Sequence, residues 1–140
     1  MEQKAAIAHP GADRAATMQD QLRNLVRTHH VSLLKQIDRL GQMLASISAQ
    51  DAGCVAAMAE AEGLAHQIKG AGGSIGFGDV SHAATTLDDH LKSLVALGGD
   101  VTADQVQASV ELFGDLQRIA GSTTPESSTL YNADLTRAPA

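Results

Sequence analysis

An all-α fold, an antiparallel up-and-down four-helix bundle with flexible termini, is predicted by three observations. Apolar residues recur at spacings of three and four along four separate stretches, the period of a helix with one buried face. Those stretches are joined by short, glycine-bearing connections of the kind that link antiparallel neighbours in a bundle. No stretch shows strand-like alternation, and with aromatic residues at 2% and no Trp the core has to be built from Leu, Ile, Val and Ala, which suits helix-on-helix packing. A chain of 140 residues holds one such domain. Its expected organisation is a flexible segment over 1–16, polar and alanine-rich with Pro10-Gly11, the bundle over 17–121, and a flexible tail over 122–140, dominated by Ser, Thr, Pro and Ala. The alternative for the tail is that Leu130 and Tyr131 dock it on the bundle.

The first helix is expected from about Met18 to Ile47. Leu22, Leu25 or Val26, His29, Leu33, Ile37, Leu40, Leu44 and Ile47 mark its apolar seam, and one of the adjacent pair His29 and His30 has to approach the core. The second starts after Asp51, read as its N-cap, carries Val55, Met58, Ala61, Ala65 and Ile68, and ends between Gly72 and Gly78. Asp79 is read as the cap of the third, whose inner face is Val80, Ala84, Leu87, Leu91, Leu94 and Val95, with Gly98 and Gly99 as the stop. Thr102 followed by Gln105 has the spacing of a capping box for the fourth. Val106, Val110, Phe113, Leu116 and Ile119 then face inward, and Gly121 ends it.

The most informative local pattern lies on the second helix, at Ala65-His66-Gln67-Ile68-Lys69-Gly70. Residues three and four apart are neighbours on a helix, so an imidazole, an ammonium and a bare patch of backbone share one face. Cys54, Met58, Ala61, Ala65, Ile68 and Gly72 form the stripe expected to face the core, which puts His66 just beyond its edge and at least half exposed. The outward neighbours of His66 are Ala59, Gly63, Gly70 and Gly73, all tiny. Interior glycine costs a helix about 1 kcal/mol relative to alanine, so a helix made only to pack has no use for Gly63 and Gly70 on its outer face. This ring, with Glu62 beside it, is assigned to contact with a macromolecular partner. Lys69 is expected to cover apolar surface with its stem while its ammonium reaches toward the imidazole, a small site for an anion.

The run from His66 through Lys69-Gly70 and the small residues Ala71, Gly72, Gly73 and Ser74 to Ile75-Gly76 resembles the signature of the histidine-containing phosphotransfer (HPt) domain. Val80, Ala83, Ala84 and Leu87-Asp88 continue the resemblance into the next helix, with Asp88 where the family more often has Glu. The match is continuous from about Leu64 to Lys92. It implies that Nε2 of His66 accepts a phosphoryl group from the aspartyl phosphate of a response-regulator receiver domain and passes it to another receiver. It also implies that a hybrid histidine kinase feeds the relay, that the partner brings the magnesium ion, that Lys69 stabilises the phosphoryl group, and that no cofactor is bound. Asp88 has two readings, orientation of the imidazole and a routine i,i+4 surface ion pair with Lys92, of which the ion pair is preferred.

Other features narrow the function. The stretch Gly70 to Gly78 fits neither common nucleotide-binding glycine pattern, so the chain is expected to be a phosphocarrier and not an enzyme with its own ATP site. A net charge of −6 argues against nucleic acid, and nothing in the charge pattern suggests a membrane surface. The single cysteine, Cys54, excludes an intrachain disulfide, and no N-terminal stretch has the apolar run of a signal peptide, so a cytoplasmic location is expected. His82 and His90 lie too far apart for one metal, and no metal site is expected. Two competitors remain. One is a helical adaptor that docks on receiver domains without carrying phosphate. The other is the dimerisation and phosphoacceptor region of a sensor kinase, which normally shows His followed by an acidic residue and a nearby Pro, whereas Gln67 follows His66 here. A self-contained bundle is expected to be a monomer.

Overall fold

The structure, a computed structural model, describes residues 10–135. The expectations for residues 1–9 and 136–140 lie outside the described residues. Four α-helices, α1 (Pro10–Ala45), α2 (Cys54–Ser74), α3 (Gly78–Ala96) and α4 (Ala103–Gly121), pack as a bundle, with single 3-10 turns at Gly98–Asp100 and Pro125–Ser127. Each helix packs on the next in sequence, and α4 closes the bundle against α1. No strand occurs among the described residues, and no helix there is long and apolar enough to cross a membrane.

Helix α1 starts well before the expected position, so residues 10–16 are helical where a flexible segment was expected. Local chemistry accounts for this. Pro10 stands at the first helical position, where its fixed φ suits the helix and its missing N–H costs nothing, and Asp13 in the first turn complements the helix dipole. The seam buries Val26, His30, Leu33, Ile37, Leu40 and Leu44, whereas Leu25 and His29 are exposed. His30 thus takes the place on the seam. Its Nε2 lies 2.9 Å from Thr123 Oγ1, and its ring packs 5.2 Å from that of Phe77.

The buried face of α2 is Cys54, Met58, Ala61, Ala65, Ile68 and Gly72, as the spacing predicts. Neither Asp51 nor Asp79 caps a helix. Gly53 is the N-cap of α2, without a side-chain cap bond, while the backbone oxygen of Asp51 accepts from Cys54 N at 3.1 Å. Phe77 is the N-cap of α3, and Asp79 sits in its first turn, where a carboxylate still favours the dipole. The capping box of α4 is present, with Gln105 N donating to Thr102 Oγ1 at 3.2 Å and Thr102 N donating to Gln105 Oε1 at 2.8 Å. Its inner face is rotated slightly from the expected one, burying Ser109, Phe113, Leu116 and Ala120 and leaving Val110 at the surface.

At the junction of α2 and α3, Gly72 is buried, and a Cβ there would lie 3.3 Å from both Ser81 N and Val80 Cγ1. The two backbones therefore approach closely, as only a residue without a side chain permits. Ser81 Oγ donates to the backbone oxygen of Lys69 at 3.0 Å and pins the same junction. That closeness brings the side chains of α3 up to the face of α2 that carries His66.

The tail expected to be flexible is docked as far as it is described, through Leu130 and Tyr131 together with polar anchors. Ser128 is wholly buried, and its Oγ donates to Ile75 O at 2.5 Å while accepting from Leu130 N and Tyr131 N at 3.1 and 3.2 Å. Gly76, at φ +86°, turns the chain beneath it, and a Cβ there would come within 2.7 Å of Ser128 Oγ. Leu130 packs on the core, and the Tyr131 ring lies under two guanidinium groups, Arg23 at 4.9 Å and Arg27 at 5.3 Å from its centroid. Arg23 Nε donates to Tyr131 O, and Gln19 Nε2 donates to Ala133 O. Composition suggested a free tail because these anchors are single polar residues with no periodicity.

Candidate functional site

His66 projects from the middle of α2 at the edge of its apolar stripe, with its side chain 60% exposed. Across the close α2–α3 contact stands Asp88, whose side chain is wholly buried. Asp88 Oδ2 lies 3.2 Å from His66 Nδ1 and 3.2 Å from Lys92 Nζ. The preferred reading of Asp88 as a surface ion pair is therefore corrected. The pair with Lys92 exists, but the carboxylate sits in the core and also holds the imidazole. The reason lies in register, since Asp88 is four residues after Ala84 and three before Leu91, in phase with the buried stripe of α3.

The hydrogen bond has a chemical consequence. A carboxylate only accepts, so the ring donates from Nδ1–H, and in the neutral imidazole the lone pair is then on Nε2. That nitrogen has no hydrogen-bond partner among the described residues, and it belongs to a side chain open to solvent.

Glu62 lies one turn before His66 on α2, half-buried. One oxygen of Glu62, one of Asp88 and a ring nitrogen of His66 lie within 4.8 Å of one another. Hydrogen bonding to Asp88, reinforced by burial and by the Asp88 charge, raises the Glu62 carboxyl above its ordinary value. Burial works to raise Asp88 as well, but hydrogen bonds from Glu62, His66 and Lys92, with the Lys92 charge, outweigh it and hold Asp88 below its ordinary value. Lys92 is raised in turn by its bond to Asp88 and that group's charge. With Glu62 ionised, Asp88 Oδ1 is buried and has no donor, so a proton held between the two carboxyls is what relieves it.

Not every candidate residue is brought to the imidazole. Lys69 is half-buried, its backbone oxygen accepts from Ser81, and its ammonium makes no ion pair or hydrogen bond among the described residues. The ammonium coupled to the ring through Asp88 is that of Lys92. Ala59 and Gly70 are exposed, and a Cβ at Gly63 or Gly70 would meet nothing within 4 Å, so the surface around His66 is open. Gly73 differs, because a Cβ there would lie 3.4 Å from Ser81 Oγ, so this glycine also serves the α2–α3 contact.

The His66 side chain is open to solvent. A cleft of about 390 Å³ between α1, the end of α2 and Leu130 is not lined by His66, nor is a second of about 360 Å³ beside Gly63 and Gln67. A small substrate needs an enclosing pocket, whereas an exposed nucleophile ringed by small side chains suits a large partner that brings the rest of the reaction site with it. His82 and His90 take no part, with His90 Nε2 lying 3.3 Å from Gln105 O. Sequence reasoning undervalued Asp88 and Lys92, and the signal that finds them is a carboxylate in phase with an apolar stripe, followed by lysine at i+4. Comparison of the chain with protein-family models, with curated proteins and with solved structures gives no match.

Proposed function

We propose that this chain is a histidine phosphocarrier of a two-component relay, accepting a phosphoryl group on His66 Nε2 from a receiver-domain aspartyl phosphate and returning it to another receiver. The observation that supports this reading most is the pairing of an exposed imidazole with a buried carboxylate at its Nδ1. Holding Nδ1–H on Asp88 presents the Nε2 lone pair outward and stabilises the positive charge that the ring acquires as it attacks. In the step, the Nε2–P bond forms as the acyl P–O bond breaks, and the electron pair leaves on the receiver's carboxylate. Reversal regenerates the acyl phosphate, so phosphate moves either way. Most of the transition-state charge is met by groups the partner brings, and Lys69, with no competing ion pair among the described residues, adds one positive charge on the same face. Partners are receiver domains and a hybrid kinase, and the small residues Ala59, Gly63 and Gly70, with Glu62, border the docking surface.

The test is transfer of labelled phosphate from a panel of phosphorylated receiver domains to wild type and to His66→Gln. Acid-labile, alkali-stable label on wild type alone is expected. Equal label on the variant would overturn the site. Receiver binding without any label would establish instead the adaptor that never carries phosphate.

A further inference from the structure

The cluster beneath the imidazole has the makings of a second kind of site. We infer that Glu62, His66 and Asp88 bind a divalent transition-metal ion of the zinc type, one donor atom from each. Three observations carry this. The donor atoms already lie within 4.8 Å of one another. Tetrahedral bonds of about 2.0–2.1 Å place ligand atoms about 3.3–3.4 Å apart, so the widest separation in the site has to contract by up to about 1.5 Å. Glu62, long, half-buried and one turn from His66 on the same helix, is free to supply that movement. Second, Asp88 is wholly buried, and with Glu62 ionised its Oδ1 has no donor among the described residues, so in that state a carboxylate oxygen in the core calls for a positive partner, which a metal ion supplies in place of the shared proton. Third, one neutral imidazole and two carboxylates balance a 2+ charge and suit a borderline cation. Magnesium and calcium prefer an all-oxygen set.

Lys92 opposes the ion, because its ammonium sits 3.2 Å from Asp88 Oδ2. Its side chain is 51% exposed, so it can swing into solvent as the metal enters. A metal on Nδ1 also displaces the hydrogen from that nitrogen. The neutral ring then carries its hydrogen on Nε2, which no longer has a lone pair to attack phosphorus. Metal loading and phosphoryl acceptance are accordingly mutually exclusive. This consequence rests on the phosphotransfer reading, whereas the binding itself does not.

The test is calorimetric titration of the full-length chain with zinc, with cobalt absorption as a report of coordination, in the absence of any phosphoryl donor. Saturable binding of one ion is expected, weakened by about tenfold or more in Glu62→Ala and in His66→Gln and unchanged in His82→Gln. Lys92→Gln removes the competing ammonium and should tighten binding, which a merely structural role for the cluster would not produce. Both weakening substitutions are at exposed or half-buried positions, and circular dichroism checks that the helices persist. Absence of saturable binding, or equal binding by wild type, Glu62→Ala and His66→Gln, would overturn the site. In a receiver assay, with each protein read against its own zinc-free rate, zinc should suppress labelling of wild type in proportion to occupancy and at the same concentration suppress that of Glu62→Ala far less. Labelling of zinc-saturated wild type at the metal-free rate would overturn the exclusivity. Failure of the metal-free protein to accept phosphate would count against the phosphotransfer reading and leave the metal site standing.

Discussion

The C-terminal segment and the α2–α3 contact each bury a polar side chain completely, and they treat it in opposite ways. In the C-terminal segment, Ser128 Oγ donates once and accepts twice, so its bonding capacity is met by backbone. At the α2–α3 contact, Asp88 places His66 and Lys92 on one oxygen and leaves the other without a donor while Glu62 is ionised. A satisfied buried group holds structure in place. A half-satisfied one keeps free energy in reserve for a change of protonation or ligand, and here it lies under an exposed imidazole whose Nδ1 it holds.

Substitutions separate the two regions. The largest effect is expected from His66→Gln, which should abolish phosphate acceptance while the thermal unfolding midpoint stays near that of wild type, because the side chain is largely exposed. Asp88→Asn keeps the volume but removes the charge that fixes the ring. Acceptance, followed as an initial rate, should fall by about 10- to 100-fold, the scale on which partners that orient a functional imidazole act. Ser128→Ala sharpens the contrast from the other side. It should cost about 1–3 kcal/mol in urea denaturation, by stranding the Ile75 carbonyl and two backbone N–H groups, with the acceptance rate unchanged. A lowered acceptance rate in that variant at full folding would show that the C-terminal segment takes part in function.

Gly70→Ala probes the open face between these extremes. With nothing within 4 Å of the added methyl, the helix should gain about 0.5–1 kcal/mol in denaturation while receiver docking weakens in a binding titration. Smallest is Lys69→Ala, which should slow transfer without eliminating it, since an exposed ammonium contributes about 0.2–1 kcal/mol to a charged neighbour. An unchanged rate would remove Lys69 from the account.

The helices were legible in sequence because their faces are periodic. The stripe of α2 from Cys54 to Gly72 follows from spacing alone, and so does the Thr102 capping box. Helix starts were less legible where a carboxylate stood near a boundary, since Asp51 and Asp79 have cap chemistry but Gly53 and Phe77 have the cap positions. Asp88 was misplaced because charge argues for the surface and register for the core, and the ion pair with Lys92 satisfied the first argument too readily. The docking of Ser128 and Tyr131 depends on contacts to Ile75, Gly76, Arg23 and Arg27, more than 50 residues away in sequence, and no local pattern announces it. The exposure of His66 and its small neighbours was read correctly, because it needed only the rotation of one helix.

The most direct measurement of the central claim is which ring nitrogen carries the phosphoryl group, read by phosphorus–nitrogen correlation NMR on protein labelled with 15N in histidine after transfer from a phosphorylated receiver. The geometry, with Nδ1 held by Asp88 and Nε2 without a hydrogen-bond partner among the described residues on a side chain open to solvent, predicts a single phosphorylated histidine, His66, substituted on Nε2 with Nδ1 still protonated. Phosphorylation on Nδ1, or on any histidine other than His66, would contradict it.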